Sequence, residues 1–353
     1  MAEDNPMRPT KTKARRAGKI LREPNHSTEE VNNALKTLSE WRALFYRPIN
    51  TFQALIRVKI KSKNYRSAIV AQRLKRAPSI IDKLKRFPHM QLDTMQDIGG
   101  VRAILNSVDE VLEIHKSLVK GRHKHEAVFP PKDYIKEPKA DGYRGIHQVF
   151  KYKTNQHKEL DGLLVEVQIR TKLQHYWATA VETLGVIERS SFKTGQGDKK
   201  YKQFFQLASA LFSIEEKQPV VASLRGKSSK EIVSEFQALE KELGVFDKLA
   251  TFTSAVKAVT GVKSNNIDGF NLLILDSGKK EMSFIPFSKE QADIADQIYL
   301  SYEQIVKDKE GVDVVLAAAG NLKDLRKAYP NYFVDTKEFI KSLKDACSKI
   351  AKA

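Results

Sequence analysis

Residues 97–119, DIGGVRAILNSVDEVLEIHKSLV, carry two hydrophobic periods in succession. GGVRAIL is a short apolar run behind a double glycine and reads as a buried strand over 101–106. DEVLEIHKSLV then spaces its apolar residues by three and four, the period of a helix over 109–119. The alternation continues downstream: GIHQVFKYK (145–153) and GLLVEVQIR (162–170) read as strands, TKLQHYWATAVETLGVIER (171–189) and residues 199–217 as helices. Strands interleaved with helices predict a layered α/β or α+β domain.

Toward the N-terminus, residues 1–26 lack an apolar period and read as a disordered basic tail. Ser27-Thr28-Glu29-Glu30 is a capping sequence. Leu35, Leu38, Trp41, Leu44 and Phe45 follow on one helical face. Residues 50–70 fit helix and strand equally, and Pro78-Ser79 opens a short helix ending near Phe87-Pro88. Toward the C-terminus, Lys217-Gln218-Pro219 and 223–229 mark a break. Beyond it come a helix over 229–259, a hairpin over 271–287, a helix over 288–307, a strand over 312–320 and a last helix over 335–352. The chain therefore divides into a tail (1–26), a main domain (27–217) and a smaller α/β unit (218–353).

Charge follows this division. The 353 residues hold 61 Lys+Arg against 43 Asp+Glu, a net charge of +18. Residues 1–217 carry 41 and 24 of them, net +17, and residues 218–353 carry 20 and 19, net +1. A polyanion is the expected partner of the main domain. One cysteine, Cys347, excludes an internal disulfide and a thiolate metal cage. With no secretory or membrane-spanning pattern, a cytoplasmic location without membrane contact is expected.

Four segments carry chemistry. RLKRAPSIIDKLKR sets Arg73 and Lys75 before a helix start, Ser79 near its N-terminus, and Lys83 and Arg86 along it, a cluster suited to a triphosphate. Asp97 precedes the double glycine, where a carboxylate can hold Mg²⁺ against phosphate oxygens or simply make a turn, and Arg102 follows on the strand. KDYIKEPKADGYRGIH gathers Lys139 and His147 around Tyr143, a ring presented between glycines. Glu166, Gln168 and Arg170 share one face of a strand otherwise apolar, so Glu166 can act as a base or share a metal. His175 starts the next helix and reads as a brace behind the site.

The order RxKxxxSxxxKxxR, DIGGVR, KDYIxxPKxxGYxxxH, ExQIRTxxQHxWAxxxE resembles the RelA/SpoT alarmone synthetase domain over roughly residues 50–217. That resemblance implies an α+β fold related to nucleotidyltransferases, with a mixed β-sheet flanked by helices. It implies Mg²⁺-dependent transfer of pyrophosphate from ATP to a ribose 3′-hydroxyl. It assigns Arg73, Lys75, Ser79, Lys83 and Arg86 to ATP, and Arg102 to the adenine. Asp97 becomes the metal carboxylate, and Glu166 the second carboxylate and base. Tyr143 becomes the ring that stacks on the acceptor base, and Lys139 and His147 its phosphate contacts. Gln168, Arg170 and His175 support them.

Two positions depart from the family pattern: Asp141 stands where Asn is usual, and Gly145 where Ser is usual. The extra negative charge disfavours free GDP or GTP. No His-Asp metal motif occurs, so synthesis without hydrolysis is expected. Tyr329-Pro-Asn-Tyr332 near the C-terminus resembles the Tyr-x-x-Tyr motif of the fused toxin–antitoxin branch, the CapRel type. That likeness implies that Tyr329 and Tyr332 plug the ATP site and that 218–353 is an antitoxin or regulatory domain. It also implies action on the 3′ CCA end of tRNA and release by a phage protein such as a capsid protein; a monomer is expected. The alternative acceptor is free GDP, GTP or an adenine nucleotide.

Overall fold

The computed structural model describes residues 8–187, 199–250, 269–276, 281–306, 309, 312–319 and 336–352. The segment read as a disordered tail instead forms α1 (Lys11–Arg22), capped by the Thr10 side chain accepting from the Lys13 amide. Its buried face is Ala14, Ala17, Gly18 and Leu21. A helical stripe of such small residues escapes a search for large apolar side chains. Gly18 sits so close to its neighbour that a Cβ there would lie 2.8 Å from Leu92 Cβ. Arg15 adds a fork to Asp93 at 3.2 and 2.8 Å.

α2 (Thr28–Ala43) begins where the sequence places it, because Ser27 and Glu30 close a capping box. The ambiguous stretch 50–70 is mostly helix, in α3 (Tyr46–Ser62), and only its last two residues enter β1 (Ile69–Leu74). Next come α4 (Ala77–Arg86), β2 (Gly99–Leu105), α5 (Val108–Val119), β3 (Glu126–Asp133), β4 (Ile146–Lys151), β5 (Leu164–Thr171), α6 (Lys172–Ile187), α7 (Lys199–Glu215) and α8 (Ser229–Leu243). Sequence patterning missed β1 and β3, the two edge strands. β3 contains Pro130 and Pro131 and slips register between Val128 and Lys132, which only an edge strand tolerates.

The five strands form one mixed sheet in the order β1-β2-β5-β4-β3, with β2 and β5 parallel and the other pairs antiparallel. The expected α+β architecture is the observed one. One sheet face carries Val101, Ala103, Val165, Val167 and Phe150, packed against Phe52 and Ile56 of α3 and Val111, Ile114 and Leu118 of α5 in a continuous core. The opposite face is polar and carries the site.

The boundary at 217/218 does not separate two packing units. Trp177 and Leu184 of α6, Phe204, Leu207 and Phe212 of α7, Ile232 and Phe236 of α8, and Phe339 and Leu343 of the last helix (Lys337–Lys352) share one second core. The chain's far end is thus built into the helical layer beside the sheet. The helix read over 229–259 is interrupted at Gly244, which caps α8 in the left-handed region at φ 59°; residues 245–250 are helical again, and 251–259 lie outside the described residues.

Between these helices, β6 (Gly269–Asp276), β7 (Glu281–Ser288), a helix (Ala292–Val306) and β8 (Val312–Ala319) make a three-stranded antiparallel sheet, order β7-β6-β8, as the hairpin signal predicts. Leu272, Phe287, Ala295, Tyr299 and Val314 form its own small core. Tyr329 and Tyr332 lie outside the described residues. Among those residues no helix is long and apolar enough to cross a membrane.

Candidate active site

Strand register assembles the site. Arg102 on β2 faces Gln168 on β5, Gln168 faces His147 on β4, and His147 faces Lys132 on β3, one polar row across four strands. One step along, Arg73, Gly100 and Glu166 form the next row. Gly100 leaves the floor between the two charged flanks open. Gly99 is required for packing: a Cβ there would lie 2.7 Å from Phe45 Cδ1. The resulting cleft is lined by Arg73, Lys75, Asp97, Arg102, Glu166 and Gln168, among others. Lys83 reaches it from α4.

Asp97 is the anionic centre of one side. Its Oδ2 accepts from Lys75 Nζ at 3.1 Å and Lys83 Nζ at 2.9 Å. Burial alone would raise this carboxyl, but the two ammonium groups outweigh it and hold Asp97 below the ordinary aspartate value. Burial pushes the Lys75 ammonium down, against the attraction of Asp97. Asp97 Oδ1 is buried with no hydrogen-bond partner among the described residues. A buried, ionised oxygen with unused lone pairs is the donor that a hard divalent cation takes. Lys75 is also fixed by its main chain: its amide donates to Ile98 O at 2.7 Å and its carbonyl accepts from Arg42 Nε at 2.9 Å.

Glu166 anchors the other side. Oε1 accepts from His147 Nδ1 at 2.9 Å and Oε2 from Gln168 Nε2 at 2.7 Å. A carboxylate only accepts, so Nδ1 carries the proton, and in the neutral imidazole Nε2 takes the Tyr143 hydroxyl at 2.7 Å. Burial would raise Glu166, but the His147 and Gln168 bonds hold it below the ordinary glutamate value. Gln168 also accepts from Arg102 at 3.4 Å, completing a chain from Tyr143 to Arg102.

This chain alters the expected roles. The sequence reading gives His147 to the acceptor phosphates, but both its ring nitrogens are engaged by Tyr143 and Glu166. Tyr143 meets Tyr134, His147 and Trp177 edge-on, and the Lys139 ammonium lies over the Tyr134 and Tyr143 rings at 4.6 and 5.0 Å. A base stacking on Tyr143 has to move Lys139 aside. Gly142 permits the turn: its φ is +97°, and a Cβ would lie 3.0 Å from Ser209 and 3.1 Å from Trp177. The Asp141 carboxylate accepts from the Tyr143 amide at 2.8 Å, a bond an Asn would make equally well, so its charge is the feature the turn leaves unexplained. Ser79 is half-buried in the first turn of α4, outside the cleft lining. Arg86 is exposed beside the Phe87 ring and likewise does not line the cleft.

Behind the cleft, His175 Nδ1 contacts Arg170 Nη2. Burial and the nearby Arg102 charge push the Arg170 guanidinium well below its usual value. One brace was missed by sequence reasoning. Glu216 accepts from Arg144 at 2.8 Å, from Gln174 at 3.0 Å and from Thr171, tying the acceptor turn to the ends of β5 and α7. The signal was available: a carboxylate just past a helix C-terminus opposes the helix dipole and needs a cation.

The family described as a region found in RelA/SpoT proteins matches residues 72–194, which contain every cleft-lining residue named above. GTP pyrophosphokinase YjbM of Bacillus subtilis is 34% identical over 145 residues, 37% of this chain and 68% of that protein. This chain belongs to the RelA/SpoT family. GTP pyrophosphokinase YwaC of the same organism is 30% identical over 112 residues, 30% of this chain and 52% of that RelA/SpoT relative. Among solved structures, small alarmone synthetase 1 from Bacillus subtilis bound to its product pppGpp matches at 29% identity and a TM-score of 0.42, covering 52% of this chain and 94% of that one. A GTP pyrophosphokinase family protein from Streptococcus pneumoniae matches at 25% identity and a TM-score of 0.42, covering 55% and 95%.

Proposed function

We propose that the chain is an ATP-dependent pyrophosphokinase of RelA/SpoT type. The observation that carries this reading is the cleft itself: Asp97 with an open, ionised oxygen on one wall, Glu166 with a hydrogen-bonded carboxylate on the other, and Arg73, Lys75, Lys83 and Arg102 between and around them. The cationic groups bind the triphosphate and offset its charge. Asp97 is the residue that would hold Mg²⁺, which would neutralise charge on the phosphate oxygens. Glu166 accepts the proton of the ribose 3′-hydroxyl, and its depressed value keeps it ionised at neutral pH. The 3′-oxygen bonds to the β-phosphorus, the bond from that phosphorus to the α–β bridging oxygen breaks, and AMP leaves. His147 and Tyr143 orient Glu166. Positioning and charge neutralisation supply most of the rate.

Two acceptors fit. The relatives named GTP pyrophosphokinase favour guanosine nucleotides. Asp141 beside the acceptor turn and the net +17 of residues 1–217 favour the 3′ end of tRNA. The second reading includes restraint through Tyr329 and Tyr332 and release by a phage capsid protein. Incubation with γ-labelled ATP, GDP or GTP, and deacylated tRNA decides between them. Label in nucleotide alone rejects the tRNA reading, label in tRNA alone rejects the nucleotide reading, and label in neither, by the parent and by Tyr329→Ala/Tyr332→Ala alike, rejects both. In the restrained form, Tyr329→Ala and Tyr332→Ala make expression toxic; growth like the parent rejects restraint.

A further inference from the structure

The turn that carries Lys139, Asp141 and Tyr143 is held by its own bonds and by a neighbouring helix. Within it, the Gly142 amide donates to Lys139 O at 2.8 Å and the Lys139 amide to Tyr143 O at 3.2 Å. α7 supplies two more donors. Gln206 Nε2 donates to Ala140 O at 2.6 Å, and Ser209 Oγ donates to Gly142 O at 2.6 Å. Further along, Arg144 donates at 2.8 Å to Glu216, just past the helix end. Residues 140, 142 and 144 therefore meet α7 and its end, while Tyr143 between them reaches His147 in the cleft.

Packing of α7 does not demand this pattern. Gln206, Ser209, Ser213 and Glu216 are spaced by three, four and three, a polar stripe on a helix that buries Phe204, Phe205, Leu207, Leu211 and Phe212. A buried helical serine commonly satisfies its hydroxyl on the carbonyl one turn back, and Ser213 does so on Ser209 O at 2.9 Å. Ser209, 3% exposed, donates across to the turn instead. Alanine would fill that position as Ala208 and Ala210 fill theirs, so the hydroxyl acts on the turn. The support is itself fixed: Trp177 Nε1 donates to Phe205 O at 2.8 Å, and Phe339 packs on Phe205 and Phe212.

We propose that Gln206 and Ser209 are positioning residues for the acceptor, an assignment that rests on the pyrophosphokinase reading of the cleft. By holding the Ala140 and Gly142 carbonyls, they keep the turn in the shape that receives a ribonucleoside with a free 3′-hydroxyl. Tyr143 and Lys139 take their places from this backbone. A turn ordered in advance spares the acceptor the cost of ordering it. The ATP side of the cleft stands on β1 and α4 instead, so the clamp acts on the acceptor alone.

The test compares full chains in a Tyr329→Ala/Tyr332→Ala background, which removes any restraint. Ser209→Ala/Gln206→Met deletes both donors and nearly keeps their bulk. Ser213→Ala, which deletes a hydroxyl bonded within α7, is the control. Two hydrogen bonds of this kind correspond to roughly tenfold or more in the population of the ordered turn. Backbone hydrogen exchange across 139–145 should therefore quicken roughly tenfold in the double variant relative to the control. Equilibrium binding of GDP or of deacylated tRNA should weaken by a similar factor, with a non-hydrolysable ATP analogue within about twofold. Loss confined to GDP identifies a free nucleotide as the acceptor, and loss confined to tRNA identifies an RNA 3′ end. Unchanged exchange, acceptor binding within about twofold of the control, an equal loss of the ATP analogue, or a chain that binds neither acceptor probe overturns the proposal. Lack of pyrophosphate transfer would reject the reading of the cleft, while exchange and binding decide the clamp without turnover.

Discussion

Phe339→Ala should loosen the helical layer that stands beside the catalytic sheet, although it lies more than a hundred residues beyond the last cleft residue. Phe339 is 1% exposed, with its ring 6.2 Å from Phe205 and 6.0 Å from Phe212. Removing a buried phenyl group at such a site costs about 3–5 kcal/mol. With a urea dependence of about 3 kcal/mol per molar for a chain of this size, the unfolding midpoint falls by roughly 1–1.7 M. The chain's two tryptophans provide the assay. Trp177 donates to Phe205 O at 2.8 Å within this layer, whereas Trp41 belongs to the core under the sheet. In a Trp41→Phe background, fluorescence of Trp177 follows the affected layer alone. A Trp177 midpoint within about 0.3 M of the parent would refute the placement of the last helix in this core.

Glu216→Ala strands the Arg144 guanidinium, 2% exposed, and should cost about 3–5 kcal/mol in urea unfolding; Glu216→Gln, which keeps an acceptor oxygen, should cost less. Asp97→Asn should lower pyrophosphate transfer by about 10²–10³-fold, with the Trp177 midpoint retained, because it removes the charge that orders Lys75 and Lys83 and the free Oδ1. Acid should destabilise the fold in a defined direction. Asp97 and Glu166 ionise below their ordinary values when folded, so the unfolded chain takes up protons first. Their contribution is present above the ordinary carboxylate range and lost as pH falls through it, so the urea midpoint drops from about pH 5 to about pH 3. A smaller drop is expected in Asp97→Asn, and an equal drop contradicts the assignment.

Much of the site was legible because it is periodic. Glu166, Gln168 and Arg170 alternate with valines and isoleucine, so strand geometry alone places them on one face, and the double glycine marks where β2 enters the sheet. Less legible were partners supplied by another segment. Nothing near His147 announces that it bridges Tyr143 and Glu166, since that bond depends on the register of β4 on β5. α1 was hidden because alanine and glycine form its buried stripe, and β3 because its prolines suit only an edge. The division at residue 217 followed composition, while packing follows large apolar side chains, and Phe339 and Leu343 return to α7 across the neutral segment.

The central claim is pyrophosphate transfer through the Asp97–Glu166 cleft, and the nucleotide left after turnover tests it most directly. Full-length protein, or Tyr329→Ala/Tyr332→Ala if the parent is restrained, should with ATP, Mg²⁺ and its acceptor release AMP in equal amount to a 3′-pyrophosphorylated ribose, and adding Glu166→Gln should leave none. ADP as the product, or AMP release that survives Glu166→Gln, would contradict the account.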